Sequence, residues 1–301
     1  MYEKQISQIA NILAINLQMV KRTGIVEGSL GIAIFLYEYS SFSGHDSYAK
    51  MADEIIEYSI DKYLPKTERP FSFGIYGFGW ALHYLEEKGY IELEEDAFSD
   101  IDKLTLLKYS QYDMISDTKA PFPLFSLGLY CIKQNNNILK EKSVDALKII
   151  KSEKKLEEYD ACYVMSIIYF LRKCINLNIK KEECLIYLNY YLEIIIRIVK
   201  KGNFRGKDVY IMQKMLPLND ITKEIQSLKV DSIKDVFCNW QTVIYSDLVE
   251  IDRQISLEAL DDYMKGITCD LPDAFLGLNG LSSLGINLIR KDLELKYSII
   301  N

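Results

Sequence analysis

Short glycine-bearing openings recur at the starts of apolar helical stretches: Gly28, Ser29, Leu30, Gly31; Gly74, Ile75, Tyr76, Gly77, Phe78, Gly79; Phe125, Ser126, Leu127, Gly128; and Gly277, Leu278, Asn279, Gly280. A glycine inside a helix costs about 1 kcal/mol relative to alanine, so its repeated use there needs a compensating reason. Glycines one turn apart, such as Gly74 and Gly77, leave a bare strip along a helix against which another backbone or a ligand comes close. Nine of the 15 glycines (28, 31, 74, 77, 79, 128, 277, 280, 285) lie in these openings or their first turns, so they are not scattered loop residues. Gly28 and Gly74 are 46 residues apart, and Gly74 and Phe125 are 51 apart. Without strand-like alternation, a period of about 50 means two helices per repeat, and a chain of this length holds about six repeats.

The segments between the openings are amphipathic rather than uniformly apolar. Ile6, Ile9 and Leu13 mark a first helix, and Tyr48, Met51 and Ile55 mark the one that follows the Gly28 helix. Apolar helices suit an inner ring and amphipathic ones an outer ring, which predicts an all-α fold: an α/α toroid, or barrel, of about six helix pairs. The expected organisation is one domain over residues 1–301, with an irregular insertion around 202–234 carrying Gly202, Gly206 and Pro217. An open solenoid of the same repeats is the rival. It needs polar capping faces at its ends, whereas the last repeat here is among the most apolar.

The balance of charge narrows the function classes. A net charge of -7 argues against a general binder of nucleic acid or of anionic membranes. Lys200, Lys201, Arg205 and Lys207 form a local basic cluster, read as a solvated loop. The first ten residues lack the basic start, apolar run and cleavage site of a signal peptide, so the cytoplasm is the expected location. The most apolar window, Cys184 to Val199, carries Asn189, Glu193 and Arg197 at steps of four, a polar stripe that marks a soluble helix, and no transmembrane segment is expected. The six cysteines form no Cys-x-x-Cys pair and read mostly as buried thiols.

With these glycine-bearing openings recurring over about six helix pairs' length of chain, the sequence resembles the lanthionine synthetase C-like family. The likeness rests on Gly28 to Leu36 with the outer helix from Asp46, on Ser72 to Leu85 with the polar turn Glu92 to Asp96, and on Gly277 to Leu281. The resemblance implies an α/α barrel. It also implies a cyclase in which zinc is held by the cysteine of a Trp-Cys-x-Gly motif and by the Cys and His of a Cys-His-Gly motif. Such a site activates a peptide thiol for attack on a dehydrated Ser or Thr, forming a thioether. Three N or S ligands hold the metal and a fourth position stays open for the substrate thiol. Here Phe237, Cys238, Asn239, Trp240 keeps only the cysteine of the first motif, and the second falls on Phe275, Leu276, Gly277. No metal is therefore expected. A shifted zinc site of Cys238, Cys269 and His83 is the alternative, with active cyclisation as its consequence. The family's general acid or base histidine has no evident match either.

Other constellations compete. Glu27, Asp160, Asp247 and Asp273 sit at or near inner-helix starts, where glycosidases of toroid architecture place paired carboxylates, although helix-start carboxylates usually serve as caps or dipole partners. The glycines at 74–79 lack the Lys and Ser or Thr of a phosphate loop. Phe73, Tyr76, Trp80, Phe125, Trp240, Phe275 and Asn279 are the candidate ligand-binding residues, since aromatics gathered at one mouth of a barrel suit a peptide. The function these features indicate is a non-catalytic or accessory peptide-binding member of a lantibiotic-type system, with a precursor peptide or a modifying enzyme as partner. A carbohydrate-active toroid is the alternative from the enzyme class.

Overall fold

The computed structural model describes residues 1–63, 71–72, 74–94, 96–112, 122–134, 136–151, 160–216, 222–267 and 271–300. In chain order its α-helices begin with α1 (Glu3–Asn16), α2 (Ser29–Ser43), α3 (Asp46–Tyr63), α4 (Ile75–Glu87), α5 (Ser99–Tyr112), α6 (Phe122–Lys133), α7 (Asn137–Lys151) and α8 (Ala161–Asn176). They continue with α9 (Lys181–Lys200), α10 (Gly206–Met215), α11 (Thr222–Ser227), α12 (Trp240–Ile244), α13 (Leu257–Lys265), α14 (Asp273–Leu276) and α15 (Leu281–Ile300). A π-helical turn, Ser232–Phe237, precedes α12. Every regular element among the described residues is helical, as the repeat requires. Two compact units divide the chain: Met1–Pro65 with Val230–Asn301, and Lys66–Lys229.

In the first unit α2 is buried on all sides from Ser29 to Ser40, the mark of an inner helix. It packs against the amphipathic α3 and against α15, which also receives α1, α12 and the π-helical turn. The first and last apolar helices of the sequence are thus neighbours within this unit. Glycine permits the approach. A Cβ on Gly31 would sit 2.3 Å from Ile25 O and 2.8 Å from Leu278 N, and one on Gly285 would meet the Phe35 ring at 2.2 Å. Asn279 N–H donates to Val26 O at 2.9 Å across the same seam.

In the second unit α4, α6, α8 and α10 pack in succession, and α5, α7 and α9 each lie against the helix that precedes them. Gly74 is the extended residue at the N-cap of α4. The close approach falls at Gly79, where a Cβ would lie 2.5 Å from the Tyr130 ring of α6. Helix α10 and the short α11 occupy much of the stretch read as irregular, because Val209, Tyr210, Met212 and Met215 supply α10 with a buried face. The π-helical turn ends at Phe237 and is followed by the five-residue α12.

Candidate functional site

The first motif position lies at the end of the π-helical turn. Asp231 caps that turn, its Oδ1 accepting from the N–H groups of Ile233 and Lys234 at 2.9 and 2.8 Å. Cys238 closes it by donating its backbone N–H to Ile233 O at 2.9 Å. Asn239 then starts α12 by accepting from Gln241 N–H at 3.1 Å. From α15, the fully buried Asn287 donates Nδ2 to Phe237 O (3.0 Å) and to Thr242 Oγ1 (2.8 Å), pinning the backbone on either side of the cysteine. The Cys238 thiol is buried and lies 3.5 Å from the Tyr263 hydroxyl of α13. Burial first, and then the neighbouring thiol, raise the Tyr263 pKa, so its proton is retained.

The second motif position belongs to the same unit. Leu276 is 1% exposed, and a Cβ on Gly277 would lie 2.6 Å from Val26 O and 2.8 Å from Gly28 N. A side chain longer than hydrogen at 277 therefore meets backbone that has no slack. One buried thiol accompanied by hydrocarbon and bare backbone does not fit a catalytic zinc, which takes three protein N, S or O donors. Among the described residues no three His, Cys, Asp or Glu side chains gather so as to hold a metal ion. Cys269 lies outside the described residues.

His83, the histidine of the alternative zinc set, belongs to the second unit. Its ring stacks on Phe98 with centroids 3.6 Å apart, and its Nδ1 is 3.8 Å from Glu86 Oε2. Nε2 is buried with no hydrogen-bond partner among the described residues. Burial, reinforced by the positive charge of Lys133, lowers the His83 pKa to about 4, so the ring is neutral near pH 7. Tyr130, beside it on α6, donates its hydroxyl to Asp102 Oδ1 at 2.8 Å and accepts from Gln134 Nε2.

The candidate carboxylates divide between the two units. Glu27 accepts from Arg22 Nη1 at 2.6 Å. Asp160 occupies the N-cap position of α8, but its carboxylate makes no cap bond and pairs with Arg205 Nη2 at 3.3 Å. Asp247 is exposed. Arg205, one of the cluster read as a solvated loop, thus carries an ion pair. The Asp273 side chain lies outside what is described.

Among the aromatic candidates, Tyr76 and Trp80 are buried in α4. Trp80 stacks on Tyr84 with centroids 5.2 Å apart, and Lys133 Nζ lies 5.5 Å from the centroid of its ring. Trp240 packs edge-on against Tyr245 at 5.9 Å. Phe275 and Asn279 are half-buried beside the Gly277 turn. Phe73 lies outside the described residues, as does the side chain of Phe125.

One residue that the sequence reading passed over is Asp208, 5% exposed, whose Oδ2 accepts from Arg205 N–H at 2.9 Å. Burial holds its carboxyl above the usual carboxylate range. The acid three residues beyond the helix start is the available signal for it.

Comparison with known proteins gives one family match: residues 20–143 match the model described as lanthionine synthetase C-like protein. No curated protein and no solved structure matches the chain. The matched stretch contains the openings at Gly28, Gly74 and Phe125 and ends before Cys238 and Phe275. Over residues 20–143, less than half of its length, the chain is similar to the lanthionine synthetase C-like family.

Proposed function

We propose that the chain is a non-catalytic or accessory member of a lantibiotic-type peptide-modification system, binding a precursor peptide or a modifying enzyme in the cytoplasm. The observation that carries this reading is the state of positions 275–277. Phe275 and Leu276 stand where the motif has its Cys and His and offer no N or S side-chain donor, while Gly277 keeps the motif's glycine. Without a zinc-bound thiolate the cyclisation step has no activated nucleophile, while recognition of the peptide needs only surface chemistry. In keeping with this, no helix among the described residues is long and apolar enough to cross a membrane.

The reading is tested with a dehydrated precursor peptide rich in Ser, Thr and Cys, offered to the full chain in the presence of zinc. Thioether closure leaves peptide mass unchanged but removes a free thiol, so alkylation distinguishes binding from catalysis. Saturable binding with every peptide thiol still alkylatable is the expected result. Turnover-dependent loss of peptide thiols overturns the non-catalytic reading, and absence of binding overturns the peptide-binding one.

A further inference from the structure

Three thiols and a lysine are buried together among α6, α7, α8 and α9 of the second unit. Cys131, Cys174 and Cys184 are fully shielded, and Lys140 of α7 is 5% exposed. Ser143 Oγ lies 3.4 Å from Cys131 Sγ and donates to Leu139 O at 2.8 Å, which ties Cys131 to α7. Two of the thiols flank one tight turn. Cys174 lies in the last turn of α8 and Cys184 in the first turn of α9, and both converge on Ile179. Its N–H donates to Cys174 O at 2.9 Å, and its carbonyl accepts from Cys184 Sγ at 3.4 Å. The turn holds Asn178 and Lys180 in the left-handed region (φ 58° and 41°), which fixes the hairpin closely.

We propose that Cys174 and Cys184 are a modification site: a dithiol that a hydroperoxide converts to an intrachain disulfide, stapling the α8–α9 hairpin. Cys184 is the attacking sulfur. It sits at a helix N-terminus, where backbone N–H groups favour an anion. A hydrogen bond from Cys174 lowers its pKa in spite of burial, and the same bond and burial raise that of Cys174. The Cys184 sulfur displaces alcohol, or water in the case of hydrogen peroxide, from the O–O bond and becomes a sulfenic acid. Cys174 sulfur then attacks it, the S–O bond breaks, and the hydroxyl leaves as water with the Cys174 proton. In sum two thiols lose two hydrogens and one hydroperoxide is reduced to alcohol and water. The residues flanking the pair, Leu177 and Leu185, are partly exposed, so opening the end of the hairpin admits a small oxidant.

The test is to treat the folded full chain with hydrogen peroxide, alkylate in denaturant, and map the peptides by mass spectrometry. The expected thiol titre falls from the six cysteines of the sequence to four, with one cross-linked peptide joining Cys174 and Cys184. Cys131→Ala should leave that cross-link intact, and Cys174→Ser should abolish it and leave Cys184 as a trappable sulfenic acid. Cross-links between other cysteines, over-oxidation without a cross-link, or an unchanged titre at peroxide doses that oxidise a model dithiol each overturn the proposal. The wild-type peptide map decides the matter even where a variant fails to fold.

Discussion

Gly31→Ala is a direct probe of how the two ends of the sequence are joined. The added methyl would lie 2.3 Å from Ile25 O and 2.8 Å from Leu278 N, both backbone atoms, where ordinary contact is near 3.4 Å. Backbone cannot swing aside as a side chain tip can, so α2 must shift off the Leu278 turn. Overpacking of this kind costs about 1–3 kcal/mol and sometimes more, against which the better helix propensity of alanine returns at most about 1 kcal/mol. The net expectation is a loss of about 2 kcal/mol in the first unit. Gly266→Ala is the matched control, since that residue already has helical φ and ψ and its Cβ would meet nothing closer than Tyr263 O at 3.4 Å. It should be neutral or gain up to about 1 kcal/mol. The chain has two tryptophans, so Trp80→Phe leaves Trp240 as the reporter of the first unit in urea unfolding followed by fluorescence. Unfolding of the two units need not be a single transition, and this reporter separates them. A Gly31→Ala protein as stable as its parent, or a Gly266→Ala protein equally weakened, would refute the packing argument.

Further outcomes follow from particular residues. His83 is a base whose pKa falls from 6.5 to about 4 on folding, so its contribution is complete above pH 6.5 and is lost as pH drops toward about 4. The loss is on the order of 3 kcal/mol. Urea midpoints of the second unit, read from Trp80, should fall over that window in the parent and stay flatter in His83→Phe. Asp292 is fully shielded and accepts from Tyr2 N–H at 2.8 Å and from the Met1 ammonium, with Lys296 Nζ 2.9 Å from its other oxygen. Burial opposes its charge, but these partners outweigh it and lower its pKa, so its contribution is present above the ordinary carboxylate range and is lost as pH falls through the depressed value. Asp292→Ala should lower the stability of the first unit by about 3 kcal/mol at neutral pH, read by the same fluorescence assay. Asn287→Ala frees Phe237 O and Thr242 Oγ1, and should cost about 1–3 kcal/mol and raise the alkylation rate of Cys238.

Periodicity carried the helix pairs into view because apolar content and glycine spacing are local properties. Which glycine receives a neighbour was not legible. Gly74 and Gly77 stand one turn apart in the sequence, but Gly74 is the extended N-cap residue of α4, and the Tyr130 ring lies against Gly79. Helix α10 was hidden by Gly206, which reads as a loop residue when in fact it opens the helix. The N-cap position of Asp160 could be read from the chain. Its partner could not, because Arg205 stands 45 residues further on. For the same reason the Tyr130 and Asp102 pair was invisible, because its members belong to different helices 28 residues apart. At the candidate site the reverse holds. The loss of donors at Phe275 and Leu276 is a matter of residue identity, and the structure added the reason position 277 stays glycine: a Cβ there would meet the backbone of Val26 and Gly28.

Zinc content of the purified full chain tests the central claim most directly. Metal analysis by plasma mass spectrometry, on protein prepared with zinc in excess and then desalted, should give far less than one zinc per chain, with no change in Cys238→Ala. One tightly held zinc per chain that disappears in Cys238→Ala would contradict the claim and restore the cyclase.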